Sequence, residues 1–266
     1  MSDASNHILP VYREFPPSPP LAPYVECYWT MRAAGSSTPT PNRVLPDGCV
    51  DIIFDATEPA SAFDPSRGTV IGVMRRPRVV MLGGPLELIA VRFRPGCGRI
   101  FFPVPMSELA DYSIALSDLW RDGIRDVAMP LDDGATIARR LERFDMLLAR
   151  RLGSAPVPDR SVAGALGLIG RSGGRIAISA LEKSLGVSGR HLARRFNDQV
   201  GLAPKMLARI VRFQNAAALL RRGSAIDPHE LVHHCGFHDQ PHLIHEFRSL
   251  SGLTPTQFGR EMAGRV

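Results

Sequence analysis

Two segments near the C-terminus repeat one pattern: GVSGRHLARRFNDQVGLAP from Gly186 and GFHDQPHLIHEFRSLSGLTP from Gly236. Leu181 pairs with Leu231 and Gly186 with Gly236 at a spacing of 50 residues. Leu192 then pairs with Leu243, Phe196 with Phe247, Gly201 with Gly252 and Pro204 with Pro255 at a spacing of 51, so the second copy carries one inserted residue. Two copies are too few for a self-stabilising solenoid, and the pattern predicts paired helical modules instead.

Each copy reads as helix, tight turn, helix. Ile178, Leu181 and Leu185 form a helical stripe closed by Gly186, which suits a position of positive φ. Ser188 can cap a second helix in which Leu192 and Phe196 share one face, leaving Arg190, Ala193 and Arg194 on another. In the second copy Asp227, Pro228 and Glu230 supply a cap, a first-turn proline and an acid near the positive helix end. Its turn is Cys235, Gly236 and Phe237, and its second helix buries Leu243 and Phe247. A longer helix at 204–222 lies between them. At about 1.5 Å per residue it spans roughly 28 Å, close to the 34 Å of one DNA turn that separates successive major grooves.

Charge follows the repeat. Residues 160–266 hold 15 Lys plus Arg against 7 Asp plus Glu, whereas residues 1–159 hold 17 against 19. All the net positive charge therefore lies with the helical modules, where it suits phosphate neutralisation.

RHLARRFNDQVGLAPK, RIVRFQNAAALL and GFHDQPHLIHEFRSLSGLTPTQF together resemble the DNA-binding domain of AraC-type (AraC/XylS family) transcription regulators. The resemblance implies base reading by the second helix of each motif, with Ser188, Arg190, His191, Ala193, Arg194 and Arg195 in the first. In the second the corresponding residues are Gln240, Pro241, Ile244, His245 and Arg248. Arg194 can make a bidentate contact to guanine, while Ala193 can only touch a thymine methyl. His245 stands where the pattern usually has arginine, and Pro241 and Ile244 offer bases no hydrogen bond. The second motif is thus expected to read less sequence than the first. Glu182 and Val232 occupy sites where the pattern prefers a small residue. RNA polymerase and double-stranded DNA are the implied partners, and activation the implied role.

Simpler readings stand beside these. Leu192, Phe196, Leu243 and Phe247 read as core. Arg195, Arg209, Arg221 and Arg222 are either solvated arginines or phosphate contacts. His229 and His233, one helical turn apart with Cys235 near, have metal-ligand spacing but lack the HExxH pattern, and surface or DNA-facing histidines explain them better.

The first half is built differently. A proline-rich lead-in, FPPSPPLAP, precedes short apolar runs bounded by Pro, Gly, Asn or Asp: YVECYWTM, RVLPDGCVDIIFD, TVIGVM, RVVMLG and LELIAVRFRPG. Such spacing predicts a small β-barrel or sandwich. ECYW and the pairing of LPDGCVDIIF with VRFRPG resemble the cupin-like N-terminal domains fused to AraC-type regulators, which implies effector sensing. Asp47, Asp51, Arg92 and Arg94 are the candidate effector contacts. Asp47 with Gly48 also reads as a plain turn, and Arg92 and Arg94 alternate along a strand, so both are expected on one face, lining a pocket or simply exposed. No histidine lies between His7 and His191, which argues against the metal chemistry of catalytic cupins; neither a metal nor a cofactor is expected.

Cys27, Cys49, Cys97 and Cys235 show no CxxC spacing. No signal peptide or membrane-spanning run is evident, and a reduced cytoplasm is expected. Cys97, set near Arg94 and Arg99, has two readings: a tolerated core thiol, or the reactive centre of a redox or methyl-accepting, repair-linked regulator. SELADYSIALSDLW predicts a short helix pair. Ile137, Leu141, Phe144, Leu148 and Leu152 form one stripe of a later helix that packs on the barrel or on a second subunit of a homodimer. The expected architecture is two-domain α+β: a cupin-like β-barrel with flanking helices (1–152), a linker (153–160), and an all-α domain of two helix-turn-helix motifs joined by a long helix (161–266). The function that follows is a sequence-specific, non-enzymatic DNA-binding regulator with a small-molecule effector.

Overall fold

The computed structural model describes residues 10–35, 38–57, 68–120, 136–152, 159–222 and 228–263. Most of the expected linker (153–158) and the expected cap Asp227 lie outside the described residues.

The N-terminal half is rich in strands: β1 (Val11–Phe15), β2 (Val25–Ala33), β3 (Thr40–Val44), β4 (Val50–Asp55), β5 (Thr69–Ile71), β6 (Arg78–Leu82), β7 (Leu86–Phe93) and β8 (Ser113–Ala115). Six form an antiparallel sheet in the order β1-β2-β7-β4-β5-β8, and β3 pairs with β6 in a separate ribbon. The expected closed barrel is not found among the described residues, because β1 and β8 end the sheet as unjoined edges. β3 and β6 satisfy each other's backbone groups from Thr40–Leu82 to Val44–Arg78 and leave the large sheet open.

Both faces of this sheet are covered. Val25, Tyr28, Ile52, Phe54, Val70, Ile89, Val91 and Phe93 point into the main core. Cys27, Trp29 and Ala90 point to the other side, with Met31, Ile53 and Leu88 beside them. A register shift between Val25 and Cys27 turns Val25, opposite Phe93, into the main core, where unbroken alternation would have placed it with Cys27 on the other face.

Short helices α1 (Gly98–Phe101), α2 (Met106–Leu109) and α3 (Leu116–Leu119) close one end of the sheet, and the amphipathic α4 (Ile137–Leu152) lies against the core face. Leu141, Phe144 and Leu148 of the predicted stripe are buried there, with Phe144 stacked on Phe54 at 4.5 Å between centroids. Tyr28 Oη and the Ser18 N–H both donate to Asp145, which fixes the helix on the sheet. The stripe is used within the chain, so it does not offer an apolar face to a second subunit.

The C-terminal half is helical: α5 (Arg160–Arg171), α6 (Ile178–Leu185), α7 (Gly189–Gln199), α8 (Pro204–Arg221), α9 (Pro228–Cys235), α10 (Gln240–Ser251) and α11 (Pro255–Ala263). Helix α8 is the hub. Its Leu207, Ile210, Phe213, Ala216 and Ala217 are buried, and it packs against α5, α7, α9, α10 and α11. Phe213, Phe247 and Phe258 meet edge-on in a triad with centroids 5.0 to 6.4 Å apart.

One continuous buried core runs through sheet and helices. Helices α1 and α2 rest on α7, and Arg99 reaches Asp198 at 3.5 Å. Arg43 of the ribbon donates to the Ser251 carbonyl at 2.8 Å and pairs with Glu261 at 3.4 Å.

Candidate nucleic-acid interface and ligand cavity

The two copies of the repeat fold as the sequence pattern predicts at their turns. Gly186 takes φ +64° and Gly236 φ +72°, the left-handed region that closes α6 and α9. Ser188 Oγ then accepts the His191 N–H at 3.3 Å and Asp239 Oδ1 accepts the His242 N–H at 2.7 Å, capping α7 and α10. Leu192, Phe196, Leu243 and Phe247 are fully buried, which orients each helix. Glu182 is accommodated because Gly189 faces it, where a Cβ would collide with its carboxylate.

The residues singled out for DNA reading fall on the opposite faces. On α7 Ser188, Arg190 and Arg194 are exposed, with His191 and Ala193 half-buried. On α10 Gln240, Pro241, His245 and Arg248 are exposed and Ile244 is half-buried. Arg195 is placed differently, because its Nε lies 3.2 Å from Asp159, the N-cap of α5. Hydrogen bonds from Ser161 are the main reason the Asp159 carboxyl is held below its usual range. Of the arginines with two readings, Arg209 is bound to Glu246, Arg221 lies over the Phe258 ring at 5.6 Å, and Arg222 is exposed. Among the described residues no three His, Cys, Asp or Glu side chains gather as metal ligands, and His233 is exposed while Cys235 is buried.

A cavity of about 790 Å³ lies over the second face of the sheet. Trp29, Asp51, Ile53, Leu88 and Arg92 are part of its floor, Asn42, Val44, Val80 and Leu82 of the ribbon form one wall, and Gln214, Arg221, Phe258 and Met262 of the helical half form the roof. Three of the four predicted effector residues meet here. Arg92 Nε and Nη2 bind the two Asp51 oxygens at 3.1 and 3.0 Å, and Nη2 lies 3.6 Å from Asp47. Burial pushes the Asp51 carboxyl up to about 6, although Arg92 pulls it down. The carboxylates raise the pKa of Arg92.

Arg94 does not join them. Strand β7 ends at Phe93, so the expected alternation stops one residue short, and Arg94 Nε turns to the Ala22 carbonyl at 2.9 Å. Cys97 is not activated by its arginines: burial pushes its thiol up to about 11 against the pull of Arg94, and Arg99 is engaged with Asp198. Burial likewise raises Cys27 to about 12 and Cys49 well above its ordinary value. Of the roof, Gln214, Phe258 and Met262 escaped the sequence reading and Arg221 was read only as a solvated arginine or phosphate contact; the amphipathic pattern of α11 is the signal that turns Phe258 inward.

Residues 181–261 match a family described as a helix-turn-helix domain, and residues 13–115 match a domain of unknown function, DUF6597. No curated protein matches the chain. Among solved structures the chain is similar to an apo variant of ToxT from Vibrio cholerae strain SCE256, at 10% identity and a TM-score of 0.44 over 89% of this chain and 97% of that one. It is also similar to ToxT from Vibrio cholerae O395 (10%, 0.42, 88% and 97%) and to unsaturated fatty acid bound wild-type ToxT from strain SCE256 (9%, 0.41, 87% and 98%). Among the described residues no helix is long and apolar enough to cross a membrane.

Proposed function

We propose that this chain is an AraC-type, one-component regulator of transcription that reads double-stranded DNA, a reading supported by the match of residues 181–261 to a helix-turn-helix domain. Residues 161–266 bind about 20 base pairs across two adjacent major grooves. Residues 1–152 sense a small molecule, and residues 153–160 link the two. The observation that carries this reading is the division of each second helix: Leu192, Phe196, Leu243 and Phe247 are buried, while Arg190, Arg194, Gln240 and His245 are left in solvent.

Arg190 and Arg194 supply the hydrogen-bonding face of the first motif, with His191 and Ser188 at its edge. Gln240, His245 and Arg248 supply that of the second, and Pro241 and Ile244 contribute shape alone. Effector contacts are Asp47, Asp51 and Arg92 in the cavity. The regulator works in the cytoplasm, activates rather than represses, and engages RNA polymerase. Catalysis is not part of this reading, and a thiol mechanism at Cys97 is disfavoured by a pKa of about 11.

Selection of bound duplexes from a random pool tests the proposal. A discrete two-part motif with half-sites one helical turn apart is expected. Equal affinity for all duplexes at matched salt would instead identify a non-specific nucleoid-type binder.

A further inference from the structure

We propose that the cavity takes an organic cation with an aromatic or alkyl body, and that its occupancy reaches the DNA-binding helices through the Asp47–Gly48 turn. This rests on the reading of residues 1–152 as the sensor.

The charge of the floor argues for a cation. Strand register sets Cys27, Arg92 and Asp51 side by side across β2, β7 and β4. Around that one arginine stand the carboxylates of Asp51, Asp47 and Glu14, and Glu26 accepts from the Cys49 thiol just behind. Arg92 is already bound by both oxygens of Asp51 and approached by Asp47, so an incoming anion finds it occupied and meets the surplus carboxylates. An incoming cation finds the opposite. Burial is what holds the Asp51 carboxyl near 6, with neighbouring Asp47 adding to it and Arg92 opposing, so a further positive charge on this floor would be favourable. On the roof Arg43 is neutralised by Glu261, and Arg221 is exposed and lies over Phe258 at the cavity edge.

Shape and aromatic content agree. Tyr12 and Trp29 form a tilted pair 5.8 Å apart on the floor, and indole is the best of the aromatic faces for a cation. Trp29 is only 7% exposed, and its indole N–H serves the Asp51 carboxylate, which keeps that carboxylate's charge in the cavity floor. Met31, Ile53 and Leu88 give an apolar bed, and about 790 Å³ is ample for a drug-sized ligand.

The turn that carries Asp47 also grips α8. Asp47 Oδ1 accepts the Cys49 N–H at 2.9 Å, the Pro46 carbonyl accepts from Gln214 Nε2 at 2.6 Å, and Gly48 abuts Leu207 so closely that a Cβ would lie 2.6 Å from its Cδ1. Gln214 and Leu207 belong to the helix that sets the separation of the two motifs. A ligand that draws Asp47 away from Arg92 therefore pulls on the turn that seats this helix.

Tetraphenylphosphonium and tetraphenylborate, alike in shape and opposite in charge, test the proposal on the full chain by calorimetry and tryptophan fluorescence. The phosphonium should bind at least about tenfold more tightly and quench Trp29, and Asp51→Asn or the more exposed Asp47→Asn should each remove roughly that factor without changing the circular dichroism spectrum. Equal or tighter binding of the borate, or no binding of either, overturns the ligand class and leaves the regulator reading intact. The phosphonium should also shift affinity for the selected duplex severalfold. Binding that leaves DNA affinity unchanged overturns the coupling through Asp47 and, with it, the role of residues 1–152 as sensor.

Discussion

Arg209 on α8 grips Glu246 on α10 through both carboxylate oxygens, at 3.1 and 2.9 Å from Nε, and the Glu246 side chain is only 5% exposed. The helix that separates the two motifs is thereby tied to α10, the second helix of the second motif, by an ion pair, and Arg209 is engaged within the protein. Arg209→Ala strands a buried carboxylate, a change that typically costs about 3–5 kcal/mol, with the lower end expected because Arg209 is itself partly exposed. Glu246→Leu combined with Arg209→Met should recover much of that loss in urea denaturation. A single variant as stable as the parent would show that the pair does not hold in solution.

Arg194 and Arg195 are neighbours with different fates, which gives a paired test of base reading. Arg194→Ala should cost about 1–3 kcal/mol on the selected duplex and relax preference at one position of the first half-site. Arg195→Ala loosens the contact with Asp159 at 3.2 Å and should leave the selected motif unchanged. Because the second motif lacks arginine at the corresponding positions, scrambling its half-site should cost less than scrambling the first. Uniform loss across all duplexes for Arg194→Ala would reduce that residue to a phosphate contact.

What was legible in the sequence was local. Gly186, Ser188 and the stripe Ile178, Leu181, Leu185 set the bounds of α6 and the start of α7 through interactions spanning a few residues, and the structure has them where the pattern places them. What was hidden depends on distant partners. Gln214 meets Pro46 across 168 positions, and nothing in either neighbourhood announces it. Arg209 and Arg195 look like any other helix-surface arginines until the packing of α8 on α10 and of α7 beside the start of α5 is known. The open sheet was missed for a similar reason: alternating runs define strands, but whether β3 joins the sheet or pairs with β6 is decided by tertiary register. Arg94 shows the smallest error of this kind, one residue beyond the end of its strand.

Asp51 should make stability depend on pH in a direction opposite to that of most paired carboxylates. Its folded-state pKa is raised to about 6 by burial, so the folded protein binds the extra proton between the ordinary carboxylate range and about 6. The group is therefore least unfavourable under acid conditions, and its contribution declines as pH rises through that window. Measured against Asp51→Asn, which cannot titrate, the parent should lose on the order of 2 kcal/mol between pH 4 and pH 7. Urea midpoints at pH 4.5, 5.5 and 7 read this directly. Parallel pH profiles would mean that Arg92 fully compensates the burial.

Cys97 should be a slow nucleophile. With its thiol at about 11, the thiolate fraction near neutral pH falls roughly a hundredfold below that of an ordinary cysteine. Iodoacetamide labelling followed by mass spectrometry should modify Cys97 far more slowly than a free thiol in the same tube. Labelling at the rate of the free thiol would revive the redox or methyl-accepting reading.

Gly201 and Gly252 close the two copies of the repeat at nearly the same backbone angle, φ +80° and +76°, yet meet different surroundings. A Cβ on Gly252 would find only the end of the Arg43 side chain, 3.3 Å away, which can shift by a few tenths of an ångström at the cost of loosening its bond to the Ser251 carbonyl. One on Gly201 would lie 2.6 Å from the Met106 carbonyl oxygen and 2.8 Å from Val73 Cγ2, where α2 and the sheet press on the first motif. Both Ala variants bear the left-handed penalty of about 1–2 kcal/mol. Gly201→Ala adds a collision with backbone, worth roughly 1–3 kcal/mol more. Urea denaturation of the two variants therefore isolates the contact between the sheet and the first motif, because the repeat supplies its own control. Equal losses would mean that the first motif stands free of the sheet in solution, and that α2 transmits nothing to α7.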